Sequence, residues 1–451
     1  MKKNISILFL AGILLPFIGL HAAQLTVQIN NYQPKNEVSI IFPGRENPSI
    51  INMDNTGKGT FKLDNEPTGY ALLTYATYYF RTIWVDAKHD LSISFDSDSF
   101  NNKISFDGAD ANINNYLNNT EFGSIMIHDA RLSEETFMTK ADSILTANLS
   151  KLEKTELPPS FIAKERSRLK YVSYDAFPYF ETFHIRITND STFQVSDTYW
   201  KKMKELSVYS PELLQLDEYN KFISNAVSEL AKQEYQQETG MSIMDKRLKY
   251  IESHVSSAPV AEYLVFKYIY AALKRQGIKV LSPNRLAAFK KYVNKPEFVE
   301  QFNTLYAKLN KLSPGNPSPV LIATDINGTK KSLSDYLGKY VYIDIWATWC
   351  VPCKKEIPFM EKLEEKYKDK NIYFISLSCD QKREAWEKDI TKRQVRNIQL
   401  HMGSDNTFMK DYEISTIPHF ILLDPEGNIV NSDMSRPSNP ATVETLDKLL
   451  Q

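Results

Sequence analysis

Tyr340-Val341-Tyr342-Ile343-Asp344-Ile345-Trp346, followed by Ala347-Thr348-Trp349-Cys350-Val351-Pro352-Cys353, is the stretch that decides the fold. The first seven residues are apolar but for one carboxylate and read as a buried strand. Lys354 to Lys370 reads as a helix. Two cysteines three positions apart therefore stand where a strand gives way to a helix. There the unpaired N–H groups and the helix dipole favour a thiolate on the first of them. Cys350 is the expected nucleophile. Cys353, one turn in and more shielded, is expected to resolve the mixed disulfide. Pro352 suits a first helical turn, where an N–H has no partner to lose. Trp349 is expected to cover the sulfur pair and limit solvent access.

Other uses of two such cysteines fit less well. Covalent haem attachment needs a histidine directly after the second cysteine, and position 354 is Lys. A structural zinc site needs four ligands, and there is no second pair of this spacing. Cys379 with His401 or His419 is the remaining combination. The expectation is no metal and no cofactor. Cys379 itself ends a predicted strand and reads as a small buried hydrophobe.

Lys2 and Lys3 precede an apolar run from Ile5 to Leu20, closed by His21-Ala22-Ala23, so residues 1–23 read as a signal peptide. An uncleaved membrane anchor is the alternative, although the run is short and carries Gly12, Pro16 and Gly19. Export makes the cysteine count informative. Cys350, Cys353 and Cys379 are the only three, and residues 24–349 contain none. A chain stapled by structural disulfides would spread them more widely. The pair reads as an active site.

With 451 residues, more than one domain is expected. Basic and acidic side chains number 54 and 55, which gives no electrostatic case for nucleic acid or an anionic membrane surface. Residues 24–108 alternate apolar and polar, as in Leu25–Ile29, Val38–Phe42, Thr60–Leu63, Ile83–Val85 and Leu91–Phe95, and read as an all-β module of sandwich type. Residues 109–312 change to helical spacing, with Val260–Gln276 closed by Gly277. The tyrosines there read as helix-packing core rather than a ligand groove. Residues 313–319, with three prolines, read as a linker. Residues 320–451 read as a mixed sheet with helices on both faces: a leading hairpin, the motif strand and helix, Ile372–Leu377, the helix Arg383–Arg393, Ile398–Met402, a hairpin from Phe420, and a closing helix Ala441–Leu450.

Two carboxylates stand near the motif. Asp344 lies inside the strand, where a carboxylate is costly without a partner or a task. Moving a proton to and from the second thiol is such a task, and a raised pKa would suit it. A structurally hydrogen-bonded Asp is the alternative. Glu356, three residues after Cys353, shares a helix face with the pair; a solvated helix Glu is its plainer reading. Ile417-Pro418 precedes the strand from Phe420. A trans proline is tolerated at a strand start, whereas a cis bond would bring a backbone edge against the disulfide for substrate pairing.

The segment Trp346–Pro358, with Asp325-Ile326-Asn327-Gly328 and Ser332–Lys339 before it, resembles the exported TlpA/ResA-like branch of the thioredoxin superfamily. The resemblance covers about residues 314–451. It implies a thioredoxin fold, Cys350 attacking and Cys353 resolving, and Pro418 as the family's cis-proline next to Ile417. It matches Asp344 to the buried acid of thioredoxins and Glu356 to the branch's active-site glutamate, and it points to chemistry of the kind used in cytochrome c biogenesis. One departure stands out: thioredoxins carry a lysine near the buried acid, and here Ser376 aligns there. Residues 24–118 resemble, more weakly, β-modules that precede such domains in Gram-negative exported proteins.

The expected whole is a multidomain periplasmic thiol–disulfide oxidoreductase with an N-terminal all-β module, a mainly helical middle and a C-terminal α/β thioredoxin fold. Its partners are protein thiols and disulfides and an upstream membrane electron donor, with no nucleic acid and with homodimerisation through the upstream region. Reduction is the expected direction, since Val351-Pro352 lacks the histidine of oxidising members. A disulfide oxidase or isomerase, or a binding or dimerisation protein with an accessory redox domain, are the other readings.

Overall fold

The computed structural model describes residues 23–45, 48–63, 66–76, 79–98, 100, 103–393 and 397–451. The apolar N-terminal run lies outside them. Among the described residues no helix is long and apolar enough to cross a membrane. The chain divides into two compact units between Ala261 and Glu262. That division falls inside the helix Ala258–Gln276, so the helical stretch read as one region is shared between the units.

The first unit opens with eight strands: β1 (Gln24–Asn30), β2 (Val38–Ile41), β3 (Ser49–Ile50), β4 (Lys58–Lys62), β5 (Gly69–Tyr75), β6 (Tyr79–Val85), β7 (Leu91–Asp96) and β8 (Ile104–Gly108). They form two four-stranded sheets, β4-β1-β7-β8 and β3-β2-β5-β6. Alternation turns Leu25, Val27 and Ile29 inward, where they share one apolar core with Ile40, Leu73, Tyr75 and Ile83. Gly57 makes the turn before β4 possible. Its φ is +76°, and a Cβ there would stand 2.2 Å from the carbonyl oxygen of Ile29. β5 escapes a search for alternation because both its faces are covered: Leu73 and Tyr75 enter the sandwich core, while Tyr70 packs on Phe161 of the helix Pro159–Ser173. Three of the helices that follow are started by serine caps, Ser133, Ser196 and Ser242, each accepting an N–H from the residue three positions on. Tyr171, Tyr174, Tyr199 and Tyr219 are fully buried among them, as packing core.

The second unit carries helices Pro283–Tyr292 and Pro296–Asn310, stacked through Phe289 on Phe302 with ring centres 4.0 Å apart. It then forms β9 (Ile322–Thr324), β10 (Lys330–Ser332), β11 (Tyr340–Trp346), β12 (Ile372–Ser378), β13 (Ile398–His401), β14 (His419–Leu423) and β15 (Ile429–Asn431). The sheet order is β10-β9-β13-β12-β11-β14-β15. β11, β12 and β13 run parallel, and β14 returns antiparallel to β11. This is the thioredoxin arrangement that the motif implied. Helices Val351–Lys366 and Pro440–Leu449 cover the face bearing Tyr342, Phe374, Phe420 and Leu422. The proline-rich segment read as a linker is hydrogen-bonded to the β14–β15 hairpin: Gly315 N–H to Ile429 O at 2.8 Å, Ile429 N–H to Asn316 O at 2.8 Å and Ser318 N–H to Gly427 O at 3.1 Å.

Within the first unit, the joint between β-module and helices is polar and buried. Glu165 is wholly enclosed. It accepts Nε and Nη2 of Arg168 at 2.7 and 2.8 Å and the Tyr70 hydroxyl of β5 at 2.6 Å. Nη1 of Arg168 continues to Glu218 at 2.9 Å. Removing one partner of an enclosed pair strands the other charge, at a cost of about 3–5 kcal/mol. Glu165→Ala is therefore expected to destabilise the first unit by that amount in denaturant unfolding of the full chain. Glu218→Ala, at the half-exposed end, is expected to cost under about 1 kcal/mol.

Candidate active site

Cys350 and Cys353 are joined as a disulfide with an S–S distance of 2.02 Å. Cys350 is the N-cap of the motif helix, which begins at Val351 and ends at Lys366, rather than running from Lys354 to Lys370. The Cys353 N–H donates to Cys350 Sγ at 3.2 Å. In the dithiol form the same N–H, with the helix dipole, is aimed at a Cys350 thiolate. Both cysteines are enclosed, 4% and 2% exposed, and pack with Trp346, Ala347, Trp386 and Ile390, flanked by Cys379 and Ile417. Trp349, next to Cys350 in the chain, is 68% exposed, while Trp346 and Trp386 are the buried rings packed with the sulfurs. With Val351, 64% exposed, Trp349 forms an apolar rim.

The turn leading into Cys350 is held by Asp380, a residue the sequence reading missed. Its buried carboxylate accepts the Thr348 N–H at 3.0 Å and hydroxyl at 2.7 Å, and the Ser378 hydroxyl at 2.8 Å. His401 Nδ1 accepts the Gly403 N–H, so its Nε2 carries the hydrogen donated to the Asp380 carbonyl at 2.8 Å. His419 is likewise engaged, with Nε2 2.7 Å from the Ser432 carbonyl. Cys379 donates its N–H to Trp346 O. Its thiol is pushed up to about 11 by burial, then by the neighbouring Asp380.

Asp344 is buried in β11 opposite Ser376 of β12. Its carboxyl is pushed up to about 8, first by burial and then by the field of Glu356, with Arg393 pulling the other way and Glu364 adding to the rise. Its Oδ1 has no hydrogen-bond partner, which sets aside the alternative of a structurally satisfied Asp for that atom. Glu356 is buried too. It accepts the N–H and hydroxyl of Ser438, both at 3.0 Å, and lies 3.9 Å from Arg436, so it is not a solvated helix residue. The Ile417–Pro418 bond is cis, and Ile417 packs against the cysteine cluster. The site thus gathers Cys350, Cys353 and Ile417 in one cluster, with Asp344 two residues from its Trp346. Trp386, buried against the pair, had no signal beyond its place in a predicted helix. Asp380 had one: a carboxylate at the end of a buried strand.

This geometry, a cysteine pair at the start of a helix that follows a strand carrying a buried acid, is that of a thioredoxin-like redox domain, and the family model described as Thioredoxin-like matches residues 338–429. The thiol-disulfide oxidoreductase ResA of Bacillus cereus is 30% identical over 144 residues, 32% of this chain and 83% of the relative. ResA of Bacillus subtilis is 30% identical over 129 residues, 29% of this chain and 72% of that protein. A solved structure of a thiol-disulfide oxidoreductase from Bacteroides fragilis is 30% identical, covering 30% of this chain and all of its own, with a TM-score of 0.28. The chain belongs, through its C-terminal third, to the ResA family of thiol-disulfide oxidoreductases.

The raised Asp344 pKa sets a pH dependence of stability. Folding holds a proton that the unfolded carboxyl releases above its ordinary 3.8, so stability falls as pH rises from about 4 and levels off above about 8. At about 1.4 kcal/mol per pH unit the loss is on the order of a few kcal/mol. Asp344→Asn is expected to raise the unfolding midpoint of the disulfide form, by more at pH 8 than at pH 5. Equal gains at both pH values would contradict the raised pKa.

Proposed function

We propose that the chain is an exported reductant of protein disulfides. The observation that carries this is a buried carboxyl, Asp344, on the strand that leads into the cysteine pair, raised to about 8 by burial and by the field of Glu356. A carboxyl that titrates near neutral pH is suited to exchanging a proton with a thiol. Cys350 thiolate, held by the helix N-terminus, attacks a substrate disulfide and releases the first substrate thiolate. Asp344 takes the proton of Cys353, whose sulfur attacks Cys350 Sγ. The 350–353 disulfide closes, and the second substrate thiolate leaves. Two electrons pass to the substrate, and its thiolates take their protons from water. Trp349 and Val351 offer an apolar rim to the substrate chain, and the Ile417–Pro418 backbone offers an edge beside the sulfurs. Glu356, tied to Ser438, acts on the pair through the potential it adds at Asp344.

Reduction is the direction proposed because Val351-Pro352 gives the thiolate no cation or donor beyond the helix end. A strong oxidant needs its reduced form held more firmly. The basic and apolar start of the sequence supports export to the periplasm, where such a dithiol must be recharged by a membrane electron donor. The upstream region is the proposed surface for homodimerisation.

Cys350→Ser is expected to abolish insulin reduction by the full chain. Cys353→Ala is expected to keep the attack and accumulate mixed disulfides, visible on non-reducing gels. A reduction potential nearer thioredoxin's, about −270 mV, is expected; one near −120 mV, the range of a strong oxidase, would overturn the direction.

A further inference from the structure

Cross-strand pairing places Asp344 of β11, Ser376 of β12 and Gln399 of β13 in one row across the parallel strands. Residues paired in register share a face of the sheet, and this face lies under the motif helix. The neighbouring row, Tyr342 against Phe374, is apolar. Beside the polar row lies a small, partly open cavity of about 20 Å³, lined in part by Asp344, Ser376, Gln399, Asn397, Arg393 and Glu364. That is room for one water molecule, which needs about 10–15 Å³ and two to four polar partners. Three buried polar atoms on its walls have no hydrogen-bond partner: Asp344 Oδ1, Trp346 Nε1 and Gln399 Oε1.

Glu364 closes the far side. It stands on the same helix face as Cys353, Ile357 and Met360, about 16 Å along the axis from Cys353 at 1.5 Å per residue. It is half-buried, and its carboxylate accepts Nδ2 of Asn397, which also donates to Ser376 Oγ at 3.1 Å. Burial pushes the Glu364 carboxyl up to about 7; the Asn397 contact opposes this and Glu361 adds to it.

We propose that Glu364, through a water in this cavity, passes the proton of Asp344 to and from solvent, taking the place of the basic residue that Ser376 does not supply. It rests on the dithiol chemistry proposed above. When Cys353 closes on Cys350, its proton goes to the Asp344 carboxylate, from Asp344 to the cavity water, and from that water to the Glu364 carboxylate, which releases it to solvent. No electrons move in this relay, and one proton enters and leaves. Glu364 touches neither sulfur nor substrate and is a positioning residue for the proton. The charged and titratable groups facing Asp344 are Glu356, Glu361 and Glu364 on the motif helix, Arg393 on the helix Arg383–Arg393, Tyr342 on β11 and Cys379 after β12. Arg393 is held by Asp389 at 2.7 Å and lies over the Trp346 ring at 5.1 Å.

The test is single-turnover oxidation of the reduced full chain by insulin, followed by tryptophan fluorescence from pH 5.5 to 9 at several imidazole concentrations. In the native chain the closure rate is expected to be independent of imidazole. In Glu364→Gln it is expected to fall about 5- to 20-fold near pH 7, to recover with added imidazole, and to leave the rate of Cys350 alkylation unchanged. Glu364→Asp should retain most of the rate; if Glu364→Gln does not fold, the imidazole series on Glu364→Asp decides instead. A Glu364→Gln chain with the native rate at every pH overturns the relay, as does a slowed one that imidazole does not rescue. Asp344→Asn separates the two layers: native closure there overturns the role of Asp344 itself, and a native chain that leaves insulin intact overturns the reductant reading.

Discussion

The active site depends on one junction, where the last residues of a buried parallel strand hand over to the N-terminus of a helix. Everything chemical follows from the direction of the first N–H groups of that helix. They have no carbonyl partner of their own, and one of them, from Cys353, is spent on the sulfur of Cys350. The sulfur therefore doubles as a cap, so the reactive group is also part of what starts the helix. Asp380 fixes the preceding turn from the neighbouring strand end, so the position of the cap is set by the sheet and not by the loop alone.

The same sheet imposes the acid. A carboxylate in the middle of β11 with an unpaired oxygen is a standing cost to the fold. The protein carries it together with a second carboxyl, Glu364, on the covering helix. Apolar residues at both places would remove two carboxyls that burial raises into the neutral range. Stability and chemistry pull in opposite directions at this row, which sits beside the apolar row of Tyr342 and Phe374.

Much of this was legible in the sequence. The cysteine pair, the strand before it, Asp344 and the order of elements after Val320 follow from local pattern, because a parallel strand buried on both faces and a helix cap each leave a local signature. What stayed hidden was set by packing between distant segments. Trp386, 33 residues after Cys353, packs against the sulfurs, and nothing in its local sequence marked it. Glu356 could not be told from a surface residue until Ser438 was seen against it. β5 was missed because a helix covers its outer face and erases its alternation. The helical region gave no sign in its sequence that its last helices belong with the redox domain.

The pairing of Gly315–Ser318 with the β14–β15 hairpin bears on how the redox domain can be isolated. β15 is the last strand of its sheet, and strand edges with unpaired N–H and C=O groups invite other chains to add to them. Here Gly315, Asn316 and Ser318 occupy that edge, and Pro317, bridged to Asn428, brings no donor of its own. The proline-rich segment is thus an edge guard as well as a connection. A fragment that starts at Val320 would keep every active-site residue and still expose a sticky margin, whereas one beginning ahead of Gly315 carries its own cover.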